Sequence, residues 1–159
     1  FIPDFIHIMP EPFETCELCS SVGGEFVWES SLCRVVCIAD VDYPGFCRVI
    51  LNRHEREMTD LSEEERSQVM RVVFAVEAAL RRLINPDKIN LASFGNMTPH
   101  VHWHVIPRWR NDRCFPNPIW AEPERTSDMT GGSIELCRLQ EELVTLLGKP
   151  ITTLRECLS

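Results

Sequence analysis

A chain of 159 residues with 44% apolar content is long enough for one domain with its own core, yet no apolar run approaches the roughly 20 residues of a membrane span. The formal net charge of -8 argues against non-specific nucleic-acid binding, which needs clustered Lys and Arg, so any phosphate-bearing ligand has to be held by local groups. The opening "FIPDFIHIMPEPFETCELC" shows no basic leader and no small-residue cleavage site, which predicts a cytoplasmic protein with no membrane partner.

The eight cysteines are scattered, without the density of a stapled secreted domain, and most are expected to be reduced. Cys16 and Cys19 in "CELC" have a spacing that suits a metal. "GEFVWES" and "LCRVVCIA" read as two strands joined at Ser30 and Ser31, with Cys33 and Cys37 as small buried hydrophobes. "DVDYPG" is a turn, and "FCRVILN", with Cys47, resumes a strand to about Asn52. Next comes the clearest helix. Ser62 is its N-cap and Glu65 completes a capping box, Val69, Val73, Val76, Leu80 and Leu83 form its apolar stripe, and Pro86 stops it after Asn85.

"KINLASF", the turn "GNMTP" and "HVHWHVIP" predict a hairpin. From Arg108 to Gly132 a Pro-rich, charged stretch predicts an ordered loop, after which Ser133 opens a helix over "SIELCRLQEELVTLLG" that Gly148 and Pro150 end. The fold class is α+β: an antiparallel sheet of about five strands, one long helix packed on it and a C-terminal helix. We read residues 1–159 as a single domain, its core about 14–110 and the remainder, 111–159, a Pro-rich loop and helix.

On the second arm of the hairpin, His100, His102 and His104 alternate with Val101, Trp103 and Val105. In a strand the imidazoles share one face, which leaves three readings open: a metal site, a catalytic histidine with helpers, or a solvated face. Three ligands from one flat strand would spread over ~13 Å, too wide for a single ion at ~2 Å, so at most two of them should share a metal. Trp103 is expected to face the core, and His7, outside any motif, the solvent.

"HVHWHVI" fits the alternating His–apolar pattern of the histidine triad (HIT) superfamily of nucleotide hydrolases and transferases. The resemblance extends to the cysteine pair before the first strand, the Pro-Gly turn, the strand ending in "LNRH", the long helix and "GNM" ahead of the triad. It implies a HIT-like fold and attack by the middle histidine, His102, on the α-phosphorus of a nucleotide. The carbonyl of His100 would fix the tautomer of His102, and His104 would assist the leaving group by hydrogen bonding or proton donation. Asn96 would contact the phosphates, and Asp40 or Asp42, near the turn, would bind ribose. The resemblance also implies a homodimer, and a structural zinc on Cys16, Cys19, His54 and His100, with no catalytic cofactor. Many relatives place a histidine after the turn glycine, whereas this chain has Phe46.

The activity so implied is cleavage of dinucleoside polyphosphates or nucleoside phosphoramidates through a nucleotidyl-His102 intermediate. A non-catalytic nucleotide sensor and a metal-dependent hydrolase are the alternatives.

Overall fold

The computed structural model describes residues 15–127 and 134–151; His7, Ser133 and the opening segment lie outside them. A short helix α1 (Glu17–Ser20) leads into β1 (Glu25–Glu29), β2 (Cys33–Cys37) and β3 (Cys47–Leu51). Helix α2 (Glu63–Ile84), β4 (Lys88–Ala92), β5 (His102–Arg108) and α3 (Leu136–Leu147) follow. All strand pairs are antiparallel, in the order β1-β2-β3-β5-β4, so the α+β class is as the sequence predicts. No helix of the described residues is long and apolar enough to cross a membrane.

The period-two pattern divides the sheet into two faces. Cys33, Val35, Cys37, Cys47, Val49 and Val105 form a core with Val73, Val76 and Leu80 of α2 and with Leu139 and Leu143 of α3. Each fully buried aliphatic side chain here contributes about 1.5–3 kcal/mol relative to exposure. Trp103 lies on this side, as expected, and donates to Met58 Sδ at 3.5 Å. The opposite face presents Ile50 beside His102 and Arg48 beside His104, because those residues are register partners across β3 and β5.

Local chemistry fixes the frame. Glu65 N–H donates to Ser62 Oγ at 3.2 Å and Ser62 N–H to Glu65 Oε2 at 2.9 Å, closing the capping box that starts α2. Asn85, with φ 44, ends it in the left-handed region. The turn before β3 needs Gly45: its φ is 80, and a Cβ there would lie 2.8 Å from Ile84 Cδ1.

Two boundaries differ from the sequence reading. Strand β5 opens at His102, not His100, because Val101 turns its N–H to the Glu55 carbonyl and its own carbonyl to the Leu51 N–H. Helix α3 begins at Leu136, with Glu135 at the N-cap and no side-chain cap. The loop after β5 is built around a buried ion pair. Arg108 donates through Nε and Nη2 to Asp112 at 2.7 and 3.0 Å, and Asp112 also accepts the N–H groups of Trp109, Cys114 and Phe115. Arg125 Nη1 closes the loop on the Asp112 and Phe115 carbonyls.

Candidate active site and metal centre

The three histidines are 1%, 8% and 5% exposed in chain order, which rules out a solvated strand face. Burying three imidazoles is costly unless each has a task or a partner. His102 Nδ1 lies 2.6 Å from the His100 carbonyl, and since a carbonyl only accepts, Nδ1 carries the proton. The ring's lone pair is thereby left on Nε2. Ser93 Oγ donates to the His102 carbonyl at 2.8 Å and ties the strand to the turn before it.

His100 points elsewhere. Its Nε2 lies 2.7 Å from the Leu51 carbonyl, and its Nδ1 lies 3.4 Å from Cys16 Sγ and 3.5 Å from Cys19 Sγ. His54 Nδ1 is 3.4 Å from Cys19 Sγ. The four candidate ligand atoms of Cys16, Cys19, His54 and His100 lie within 4.8 Å of one another, a group that could hold a metal ion. A tetrahedral ion with Zn–S near 2.3 Å and Zn–N near 2.05 Å requires S···N separations of roughly 3.5 Å, so the donor set fits in type and spacing. Of the three alternating histidines only His100, which precedes β5, joins this group, in line with the expectation that at most two of them share an ion.

Electrostatics separate the two remaining imidazoles. Burial pushes His102 below its ordinary value. Burial, then the neighbouring His102 and Arg48, pulls His104 further, to about 4. His104 is walled by aromatic rings, with centroids of Phe46 at 5.6 Å and Trp120 at 5.2 Å, and its buried Nδ1 has no protein partner. The ring is therefore neutral near pH 7. Its folded value lies below an unfolded value of about 6.5, so its stabilising contribution is complete above that pH and is lost as pH falls through about 4. That contribution is roughly 3 kcal/mol. In an NMR titration the His104 ring is expected to show no protonation above about pH 5. A midpoint near 6.5 would contradict this environment.

From the sequence Arg48 is one of the arginines of "RVILNR", a stretch where arginines concentrate, with no individual role assigned to it. It stands opposite His104 on the site face, its guanidinium 5.8 Å over the Phe46 ring and its buried Nε without a partner. Burial lowers its affinity for the proton. The signal was in the register: pairing "FCRVIL" with "HWHVI" puts this arginine beside the third histidine. Asn96 is exposed and lines a cleft of about 640 Å³ with Phe94, Ser93 and His100. Asp40 directs Oδ1 to the Asp42 N–H at 2.9 Å, and Asp42 pairs with Arg113, so both turn aspartates are engaged within the loops. Phe46, where a supporting histidine was looked for, packs against His104 instead.

Comparison with known proteins places this geometry. The chain is 25% identical over 111 residues to an AP-4-A phosphorylase of Mycobacterium tuberculosis, covering 66% of this chain and 57% of the relative. It is 24% identical over 109 residues to an asymmetrical bis(5'-nucleosyl)-tetraphosphatase of Schizosaccharomyces pombe, covering 65% of this chain and 60% of that protein. The matches thus span under two thirds of either relative. A histidine triad protein from Bradyrhizobium japonicum superposes with a TM-score of 0.64 at 25% identity, over 76% of this chain and 91% of that one. The HIT domain family matches residues 22–111, which contain the strands β1 to β5, His54 and all three alternating histidines, and the chain belongs to that family.

Proposed function

We propose that this protein is a nucleotide hydrolase or transferase acting at the α-phosphorus of dinucleoside polyphosphates or nucleoside phosphoramidates through a covalent nucleotidyl-His102 intermediate. The observation that carries the reading is the 2.6 Å contact of His102 Nδ1 with the His100 carbonyl, which leaves Nε2 as a neutral nucleophile. The Nε2 lone pair forms a bond to phosphorus while the bridging P–O or P–N bond breaks and its electron pair departs with the leaving group. An acceptor oxygen then displaces the imidazole, returning the pair to Nε2 and releasing a proton.

His104, neutral in its aromatic enclosure, assists departure as a hydrogen-bond donor and not as a resident imidazolium. Arg48 supplies a fixed positive charge on the same face, and Asn96 and the backbone of its turn face the phosphates. Asp40 would meet the ribose after exchanging its hydrogen bond to Asp42. The relatives named as a phosphorylase and a tetraphosphatase support an activity on dinucleoside polyphosphates.

The metal we assign to Cys16, Cys19, His54 and His100 is zinc, in a structural role. Four protein ligands complete a tetrahedron and leave no open position for water. The Leu51 carbonyl that meets His100 Nε2 would orient that ligand from outside the site. His100 belongs to both systems, holding the metal through its ring and the tautomer of His102 through its carbonyl. Among the described residues six cysteines are free thiols and one, Cys137, is disulfide-bonded, a balance that supports a mainly reducing, cytoplasmic setting, and the net charge of -8 supports the absence of a nucleic-acid partner. Family membership supports a homodimer.

Incubation with diadenosine tetraphosphate, with and without inorganic phosphate, tests the reaction and names the acceptor. Attack by water on the intermediate yields AMP, and attack by phosphate yields ADP. Tight AMP binding with no turnover of either substrate type would instead favour the sensor reading.

A further inference from the structure

The family match ends at residue 111, and the loop beyond it has no role in the reaction so far described. That loop is nonetheless firmly built. Arg108 is 1% exposed and Asp112 fully buried, and their ion pair collects three backbone N–H groups of the loop itself. Removing one partner would leave an uncompensated buried charge, so this frame is held far more tightly than a surface excursion requires. What the frame presents is Trp120. It is 53% exposed although it packs edge-to-face on His104, with ring centroids 5.2 Å apart and planes at 69°.

Phe94, in the turn after β4, is 50% exposed and meets Trp120 at 5.1 Å with the planes at 85°. Phe94 also reaches His104, at 6.3 Å. Two half-exposed aromatic rings, set nearly at right angles and both near one buried imidazole, form an open corner. A planar ring can stack on one wall and place its edge on the other, a geometry favoured by the aromatic quadrupole. Paired exposed aromatic rings beside a functional site suit a ligand, and the group on which both of these pack is the histidine expected to meet the leaving group.

We propose that Phe94 and Trp120 form a ring-binding corner for the leaving group, selecting substrates whose departing side ends in a nucleobase or similar planar ring. The proposal rests on the reading of His104 as the leaving-group side of the site. It makes Trp120, outside the family match, a specificity-determining residue. The corner recognises the π-face and not a base edge, so adenine and guanine leaving groups should be accepted alike.

The test compares diadenosine tetraphosphate, whose leaving group carries adenine, with adenosine 5'-phosphoramidate, whose leaving group is ammonia. For Trp120→Ala, the ratio of kcat/KM values for the two substrates is expected to fall about tenfold against wild type, and Trp120→Phe should restore most of it. An unchanged ratio, both substrates losing activity equally, would overturn the corner while leaving the proposed reaction intact. Calorimetric titration of the same variants with diadenosine tetraphosphate and with AMP separates the two ideas. If wild type turned over neither substrate but the alanine variant lost tetraphosphate affinity about tenfold more than AMP affinity, the reaction would fall and the corner would stand. Equal affinity losses for the two ligands would remove the corner.

Discussion

His102→Ala is expected to lower turnover of any substrate of this protein by at least about 10⁴-fold, while AMP binding stays within a few-fold of wild type. The two readouts separate because the side chain is asked to make a bond to phosphorus and only incidentally to touch the nucleotide. Arg48, Asn96 and the turn backbone remain in place to bind. A nucleophile that forms a covalent intermediate has no substitute within reach, since the ring of His100 is turned towards two thiols and His104 is enclosed by Phe46, Phe94 and Trp120. Steady-state kinetics together with AMP titration check this. Turnover within tenfold of wild type would remove His102 from the mechanism.

Loss of the metal is expected to have the second largest effect, on stability first and activity after it. With free zinc at about 1,000 times its dissociation constant, binding to the folded state alone stabilises by about 4 kcal/mol. At 2–4 °C per kcal/mol for a chain of this size, chelation or the double change Cys16→Ser with Cys19→Ser should lower the melting temperature by roughly ten degrees. Elemental analysis should find one zinc per wild-type chain and none in the variant. Activity should fall in parallel, because the His100 carbonyl that holds His102 Nδ1 belongs to a proposed metal ligand. Activity lost on chelation with an unchanged melting curve would point to a catalytic ion instead.

The legibility of this molecule followed the range of the forces involved. The capping box of Ser62 and Glu65, the stop at Asn85, the alternation of β2 and β3 and the inward turn of Trp103 are local effects, and all could be read along the chain. The four-residue candidate metal cluster was legible because the CxxC spacing suits a metal and the family resemblance added His54 and His100, and the structure brings those four side chains together across a sequence separation of 84 residues. The bend at His100 was not legible. It depends on carbonyls of Leu51 and Glu55, far away in sequence, competing for the backbone and ring of the segment before β5.

The place of Arg48 beside His104 and the place of Trp120 were not legible, for different reasons. Arg48 belongs to an arginine-bearing stretch, "RVILNR", and its place beside His104 appears only when β3 is set in register against β5. Trp120 sits in a Pro-rich stretch with no periodicity, in a loop organised by the buried Arg108 and Asp112 pair and by Cys114 Sγ at the carbonyls of Ile119 and Ala121, which no pattern of the loop residues announces. Phe46 shows the same limit from the other side: a histidine was looked for there, and an aromatic wall of the His104 enclosure was found.

Intact-protein mass spectrometry after brief mixing with diadenosine tetraphosphate and an alkaline quench tests covalent catalysis by His102 most directly, with His104→Ala included to slow departure. A nucleotide-sized adduct on wild type or His104→Ala that is absent from His102→Ala is the predicted result. Product formed with no adduct on any variant, or an adduct that survives His102→Ala, would contradict it.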